Sequence, residues 1–257
     1  MRYASLTEKG RVRDNNEDSC FSDGRVFVVA DGMGGHRAGE VASSTAVEVF
    51  LHFERDNRGL DPQDRIREGI LSANLELYKQ ARSDPRLEGM GTTFTCALLE
   101  EEVCLGHVGD SRAYRWRGGE LGLLTRDHSL VERMVREGYI TRLEARNHPQ
   151  RNIILRALGV SDELEVDLDS YAALPGDRLL LCSDGLTGSL EDEEINHIVT
   201  EVTETEACCR HLVDAANDRG GFDNITVVLI DFEGRVARET SRPKGKKNKR
   251  RWWRGRS

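Results

Sequence analysis

An apolar stretch that ends on a carboxylate and then opens into glycines constrains this chain most. Residues 26–30 read Val-Phe-Val-Val-Ala, a composition that is typical of a buried strand. Asp31 follows directly, so its carboxylate is expected at the rim of the core. The glycines at 32, 34 and 35 let the backbone bend sharply and let a ligand approach the main chain closely.

The same pattern recurs further along the chain. Residues 179–185 form an apolar run that ends on Asp184, and residues 103–111 lead to Asp110. Asp223 stands immediately before the last predicted strand. A single Asp-Gly junction is best interpreted as a turn, but several such junctions favour one site where carboxylates converge.

Length and charge indicate one acidic domain with a basic tail. The chain has 257 residues and neither an internal repeat nor a low-complexity linker in its middle, so we predict one catalytic domain, 1–234, and a basic, disordered tail, 235–257. The tail holds eleven of the 37 Lys and Arg residues and one of the 45 Asp and Glu residues. The net charge of −8 is therefore +10 in the tail and −18 in the remainder.

The sequence also indicates a compartment. No run of about 18 or more apolar residues is present, so no membrane span is expected, and residues 1–8 lack the apolar stretch of a signal peptide. None of the six cysteines belongs to a CxxC pair. We therefore expect buried free thiols in a reducing cytoplasm, with neither a disulfide framework nor a zinc site.

Hydrophobic periodicity predicts more strands than helices. Helices are predicted over 40–54, 62–82, 129–137, 190–200 and 205–218. Strands are predicted over 3–7, 19–22, 26–30, 91–99, 103–109, 113–116, 121–125, 164–168, 177–183 and 224–232. Because strands outnumber helices and two consecutive helix pairs lie between blocks of strands, we predict a mixed α/β sandwich with helices outside, and not a parallel Rossmann sheet.

Residues 126–163 differ from the rest of the chain. They are charged, weakly periodic and interrupted by Gly138 and Pro149. A surface excursion of this length in a compact domain is often functional.

The residue types at the strand ends point to a particular metal chemistry. Asp31, Asp110, Asp184 and Asp223 offer hard oxygen ligands without a matching His or Cys cluster, which favours Mg²⁺ or Mn²⁺ over Zn²⁺. A carboxylate can bridge two such ions ~3.5–4 Å apart, and a water between them becomes a nucleophile near neutral pH. Arg13 is a candidate for gripping a phosphate bidentately.

Six sequence blocks in a fixed order make the chain similar to a known family. The sequence resembles the bacterial form of the metal-dependent Ser/Thr protein phosphatases of type 2C, from residue 1 to about 232. The resemblance implies an α+β fold, a β-sandwich of two antiparallel sheets flanked by paired helices. The six blocks are Gly10-x-Val12-Arg13-x3-Glu17-Asp18, residues 29–36, Gly91-Thr92-Thr93, residues 106–112, residues 181–186 and Asp223-Asn224-Ile225-Thr226.

The resemblance implies a role for each metal-site residue. Asp31 would bridge two Mn²⁺ or Mg²⁺ ions, and the carbonyl of Gly32 would bind one of them. Asp184 and Asp223 would hold the other ion. Asp110 would form a third, weaker site together with Asp184.

The resemblance implies further roles beside the metals. Arg13 would bind the substrate phosphate, and Glu17 and Asp18 would orient metal-bound waters or act as ligands. Eukaryotic members carry a candidate acid, His, where this chain has Met33, which cannot donate a proton. His36 is a candidate donor of the proton to the leaving group, but it is equally well interpreted as a surface histidine without a catalytic role. A metal-bound water near Asp110 is another candidate for the proton donor.

The family's activity is the expected function. We expect a cytoplasmic, monomeric enzyme of bacterial signalling that hydrolyses phosphoserine and phosphothreonine in proteins and opposes Ser/Thr kinases, one of which would be a partner. The segment 126–163 falls where the family carries a mobile flap, and we expect it to influence substrate choice. The rivals are a catalytically silent pseudophosphatase that binds phosphoproteins and a two-metal phosphodiesterase or nuclease. A pseudophosphatase would have lost a metal carboxylate, and a nuclease site would include His ligands.

The basic tail allows several interpretations. Residues 243–254 combine Lys and Arg with Trp252 and Trp253. A solvated interaction tail, contact with an anionic membrane surface, nucleic-acid binding and folding back onto the acidic body all remain open. Residues that we discounted as catalytic are Ser183 and Cys182, expected to be packing residues, and His107, expected in the core.

Overall fold

The computed structural model describes residues 1–34 and 38–233. Its strands are β1 (Arg2–Glu8), β2 (Asp18–Ser22), β3 (Val26–Met33), β4 (Gly91–Thr92), β5 (Phe94–Leu99), β6 (Val103–Val108), β7 (Arg112–Arg117), β8 (Glu120–Leu123), β9 (Asp167–Tyr171), β10 (Arg178–Cys182) and β11 (Ile225–Asp231). Its α-helices are α1 (Ala38–Asp56), α2 (Pro62–Ser83), α3 (Leu130–Arg136), α4 (Arg142–Arg146), α5 (Asp184–Thr187), α6 (Asp192–Glu201) and α7 (Thr205–Asp218).

The strands form two antiparallel sheets. One sheet has the order β1-β11-β10-β7-β8, and the other has the order β2-β3-β5-β6-β9 with β4 paired to β3. The predicted α+β sandwich is confirmed, because the inner faces of the two sheets share one apolar cluster that includes Phe27 and Val29 from β3 and Val228 and Ile230 from β11.

Helices cover the outer faces of both sheets. Because side chains on a strand point alternately to opposite faces, Val28 packs outward against α1 and α2. Val227 and Leu229 pack outward against α6 and α7. Both central strands are thus buried on both faces, which is why β3 reads as a continuous apolar run and not as an alternating one.

The structure differs from the predicted elements at a few points. The predicted strand 91–99 is interrupted at Thr93. The hydroxyl of Thr93 accepts a hydrogen bond from the Asp31 amide, and its own amide donates to the Asp31 carbonyl. The strand predicted at 164–168 lies instead at 167–171, because Leu164 and Val166 pack against the α1–α2 layer before the chain joins the sheet. Two short helices, α4 and α5, were not predicted.

The segment 126–163 contains α3 and α4 and is tied to the body of the sandwich. One isolated β-bridge, between Ser129 and Ile154, lies within the segment. A second joins Leu158 of the segment to Thr92 of β4. Tyr139 and Leu143 within it are more than 70% exposed. We call this segment the flap.

Strand ends at one edge of the sandwich carry the aspartates singled out by the sequence.

In the described ranges, no helix is long and apolar enough to span a bilayer. The predicted tail, 235–257, lies outside these ranges.

Close approach of α2 to β6 gives a stability prediction. A methyl group added at Gly106 would overlap Ile66 Cγ2 and lie 2.9 Å from Ile70 Cδ1. We expect Gly106→Ala to lower the free energy of unfolding by about 1–3 kcal/mol, because overpacking displaces core side chains.

A matched variant controls for the change of residue type. Gly122 also lies in a strand, and a methyl group there would meet nothing closer than the Arg115 carbonyl oxygen at 3.7 Å. Gly122→Ala should change the free energy of unfolding by less than about 0.5 kcal/mol in the same denaturant titration. Equal effects of the two substitutions would contradict this packing account.

Candidate metal centre

Sheet register brings the predicted carboxylates to one edge. Asp18 and Asp31 are paired across β2 and β3. Asp184 begins α5 and is separated from β10 by Ser183 alone, and Asp223 precedes β11 by two residues. Asp110 follows β6, and the charges of all the other four carboxylates act on Asp31.

Burial and mutual repulsion perturb these groups. Burial, with repulsion from Asp184 and Asp223, raises the pKa of Asp18 to about 7. Burial and the charge of Asp223 raise the pKa of Asp184 to about 6. Burial, followed by neighbouring carboxylates, raises the pKa of Asp31 and of Asp110 well above the ordinary value. The fold therefore holds negative charges together at a cost in stability.

Asp18 is fixed by two hydroxyl groups. Ser183 Oγ donates to Asp18 Oδ2 at 2.8 Å, and Thr226 Oγ1 donates to the same oxygen at 2.6 Å. Ser183 is fully buried, as expected of a packing residue, and its hydroxyl also accepts from the Thr226 amide at 3.0 Å. Ser183 thereby connects β10, β11 and β2 at the site.

The Thr-Thr pair before β5 fixes the backbone of Asp31. Thr93 Oγ1 accepts from the Asp31 amide at 2.9 Å, and the Asp31 carbonyl accepts from Thr92 Oγ1 at 2.9 Å. Thr93 Oγ1 also shares a hydrogen bond of 2.8 Å with Ser111 Oγ. This network joins the strand end that carries Asp31 to the loop that carries Asp110.

Glu17 and Gly32 meet at the start of α1. The Gly32 amide donates to the Glu17 carbonyl at 3.1 Å. A methyl group at Gly39 would collide with the Glu17 carboxylate and lie 2.9 Å from the Gly32 carbonyl oxygen. Gly39, which was not predicted from the sequence, therefore leaves room for the Glu17 carboxylate and the Gly32 carbonyl. Burial raises the pKa of Glu17.

Arg13 lies at the rim and forms an ion pair with a site carboxylate. Its Nη2 donates to Asp223 Oδ2 at 2.7 Å, and about half of its side chain is exposed. The charges of Asp223, Glu17 and Asp31 all favour the guanidinium. Arg13 thus combines a fixed position with access to solvent.

The donor atoms of the site have the chemistry that divalent cations prefer. Asp18 Oδ1 and Asp110 Oδ1 are buried and have no hydrogen-bond partner, and carboxylate oxygens are the ligands that Mg²⁺ and Mn²⁺ prefer. Across 1–34 and 38–233, no group of three or more His, Cys, Asp and Glu side chains is placed so that it could hold a metal ion. The carboxylates therefore suit the ions by charge and chemistry, while their side-chain positions do not form a metal-binding group.

Within the described ranges, His107 and most of the cysteines are buried in the body of the sandwich. His36 lies outside the described residues. His107 is buried in the core as predicted, with Nδ1 sharing a hydrogen bond with Thr95 Oγ1 and Nε2 contacting the Arg126 carbonyl. The six cysteines are free thiols, five of them buried.

A cleft of about 440 Å³ lies between the flap and the carboxylates. It is lined by Asp110 and Asp184 on one side and by Val135, Leu143 and Arg146 of the flap on the other. The flap and two of the buried carboxylates therefore line one shared cavity.

Known proteins share this architecture. The family model described as "Protein phosphatase 2C" matches residues 7–217. The chain is 42% identical over 232 residues to the serine/threonine protein phosphatase PstP of Mycobacterium tuberculosis strain CDC 1551, covering 90% of this chain. It spans about half of that relative's length, 45%.

Two further comparisons cover nearly the whole of the matched chain. The serine/threonine phosphatase stp of Listeria monocytogenes strain EGD-e is 40% identical over 245 residues, covering 90% of this chain and 96% of its own. The crystal structure of the PstP catalytic domain in complex with two manganese ions aligns with a TM-score of 0.84 and 40% identity, covering 91% of this chain and 98% of that chain.

The raised pKa values predict how stability depends on pH without metal. Asp18 and Asp184 prefer the neutral form in the folded state, so the stability associated with them is present near pH 4 and is lost as pH rises through about 6 and 7. We expect the free energy of unfolding in EDTA to increase by about 1 kcal/mol per pH unit as pH falls from 8 to 6. Denaturant titrations at each pH measure this slope.

Asp18→Asn removes one titrating group and should flatten the slope between pH 8 and 6. Asp214→Asn, on the exposed side of α7, is the matched control and should retain the wild-type slope. A pH-independent wild type, or equal slopes in all three proteins, would contradict the electrostatic account.

Proposed function

Because the chain belongs to the protein phosphatase 2C family, we propose that it hydrolyses phosphoserine and phosphothreonine in proteins with the aid of two Mn²⁺ or Mg²⁺ ions. The observation that carries the proposal is the group of buried carboxylates at the strand ends with Arg13 paired to Asp223 at its rim. The manganese-containing structural relative supports the choice of metal.

The carboxylates divide between two ion positions in this proposal. Asp31 and the Gly32 carbonyl would hold one ion, Asp31 would also contact the second, and Asp184 and Asp223 would complete that second position. Asp110 with Asp184 would provide a third, weaker position. When bound, the ions supply Lewis-acid activation of water and neutralise charge on the phosphate.

Residues of the chain would orient the reaction. Arg13 would release Asp223 to the metal and present its guanidinium to the substrate phosphate, for which its planar fork is suited. Asp18, held by Ser183 and Thr226, would keep one oxygen available toward the site. Glu17 would face the same position from the start of α1, as a direct ligand or through water.

The flap and the tail extend the proposal. The cleft beside the flap supports a role of residues 126–163 in substrate choice. Residues 235–257 would form a separate basic tail that contacts an anionic membrane surface or nucleic acid, and the enzyme would act as a cytoplasmic monomer. Its targets would include a Ser/Thr kinase, since a phosphatase of this class opposes such kinases.

The rival functions are less well supported. A pseudophosphatase would lack a metal carboxylate, and all of the predicted ones are present in this chain. A nuclease site would include His ligands to the ions. Within the described ranges His107 bonds to Thr95 and to the Arg126 carbonyl. His128 has both ring nitrogens engaged, with Nδ1 accepting from the Gly109 amide and Nε2 next to Asp167.

A phosphothreonine peptide tests this function. Wild-type protein with Mn²⁺ should release phosphate, and EDTA should abolish the release. Asp184→Asn should lower kcat/KM by at least about a hundredfold, because it removes a charged oxygen from the proposed site. Asp214→Asn is the matched control and should retain wild-type kinetics.

The same experiment separates the rivals. Hydrolysis of bis(p-nitrophenyl) phosphate in preference to the phosphopeptide would favour a phosphodiesterase. Peptide binding without turnover by folded protein in saturating Mn²⁺ would overturn the phosphatase proposal in favour of the pseudophosphatase.

A further inference from the structure

Each residue of the Arg13–Asp223 ion pair directly follows an exposed apolar residue in the sequence. Val12, directly before Arg13, is 60% exposed, and Phe222, directly before Asp223, is 67% exposed. Neither belongs to the apolar clusters of the core. We call this pair the Val12–Phe222 patch.

The patch stands on two loops that are bonded together. The Gly221 carbonyl accepts from the Arg11 amide at 2.7 Å and from the Val12 amide at 3.2 Å. A methyl group at Gly221 would lie 2.7 Å from Arg11 Cγ, so glycine at this position, with φ +52°, permits the close approach of the loops.

The side chain of Asn224 completes this connection. Its Nδ2 donates to the carbonyls of Lys9 and Asn15 at 3.0 and 2.8 Å, and its Oδ1 accepts from the Glu17 amide at 2.8 Å. These five hydrogen bonds, together with the Arg13–Asp223 pair, join the two loops across more than 200 residues of sequence. A surface carried by such loops is preorganised, which reduces the entropy lost when a ligand binds.

The ring of Phe222 also has a defined position. A methyl group added at Gly220 would lie 2.5 Å from Phe222 Cε2 and Cζ, so the ring lies over the backbone of Gly220. It is supported on that side while two thirds of the residue remains exposed. An exposed aromatic ring held beside a proposed phosphate site is suited to contact with a ligand.

We propose that the Val12–Phe222 patch binds an apolar side chain of the phosphoprotein within about three residues of the phosphorylated Ser or Thr. This inference rests on the proposed function, because the phosphate at Arg13 sets the register of the peptide. Val12 and Phe222 each adjoin a residue of the Arg13–Asp223 pair, and an extended peptide advances ~3.4 Å per residue. The patch thus lies within reach of the side chains next to the phosphorylated residue.

The chemistry of the patch determines the preference. Phe and Val offer apolar area and no charge, so a Leu or Phe beside the phosphorylated residue gains burial that a Ser does not. The patch adjoins Arg13 and not the flap cleft, so it would act separately from residues 126–163.

A pair of peptides tests the patch. The two phosphothreonine peptides are identical except that the two residues on each side of phosphothreonine are Leu in one and Ser in the other. We expect the wild type to prefer the Leu peptide in kcat/KM by about tenfold, mainly through KM. Phe222→Ser should reduce that ratio to about two or less, whereas Phe222→Leu should retain most of the wild-type ratio.

Control variants distinguish recognition from a structural effect. Leu174→Ser removes another exposed apolar residue. Leu174 is 48% exposed and precedes β10, so it lies at the opposite end of that strand from Asp184. The variant should keep the tenfold ratio of kcat/KM between the Leu and Ser peptides. A Phe222→Ser protein that retains the wild-type ratio would overturn the proposal. Equal loss on both peptides would also overturn it, because that result indicates a disturbed Asp223 and not lost peptide contact.

Binding measurements separate this inference from the proposed function. Fluorescence anisotropy gives the dissociation constants of both peptides for Asp184→Asn and for the double variant with Phe222→Ser. A Kd ratio near ten that collapses in the double variant supports the patch even if the wild type lacks turnover. Equal Kd values for the two peptides with Asp184→Asn would overturn the patch even if the wild type is an active phosphatase.

Discussion

Repulsion among carboxylates gathered at one edge of the β-sandwich is the constraint on which the site depends. Strand register and short loops bring Asp18, Asp31, Asp110, Asp184 and Asp223 together, and burial raises the pKa of several of them. The apolar layers on both faces of β3 and β11 supply the stability that tolerates this arrangement. A divalent cation would convert the repulsion into attraction, which couples stability to metal binding.

Hydrogen-bonded loops give the site its rigidity. Ser183 and Thr226 hold Asp18, and Thr93 holds the backbone of Asp31. Asn224 connects the loop of Arg13 to the loop of Asp223. These contacts fix the carboxylates before any ligand binds, so less reorganisation is needed when charge develops during a reaction.

Much of this arrangement could be predicted from the sequence because it depends on local patterns. Apolar runs that end on Asp31 and Asp184 predict both the strands and the carboxylates. The hydroxyl contacts of Ser183 and the space left by Gly39 could not be predicted, because they join residues that are distant in sequence. The shift of β9 escaped prediction because Leu164 and Val166 pack beneath helices and not within a strand.

The most direct test is diffraction from crystals grown with MnCl₂, measured at the manganese absorption edge. The account predicts anomalous difference peaks for two strong sites and one weaker site among Asp31, Asp110, Asp184 and Asp223, with Arg13 released from Asp223. Manganese bound elsewhere, or an acidic edge without any peak at saturating Mn²⁺, would contradict the claim that these carboxylates form a metal centre.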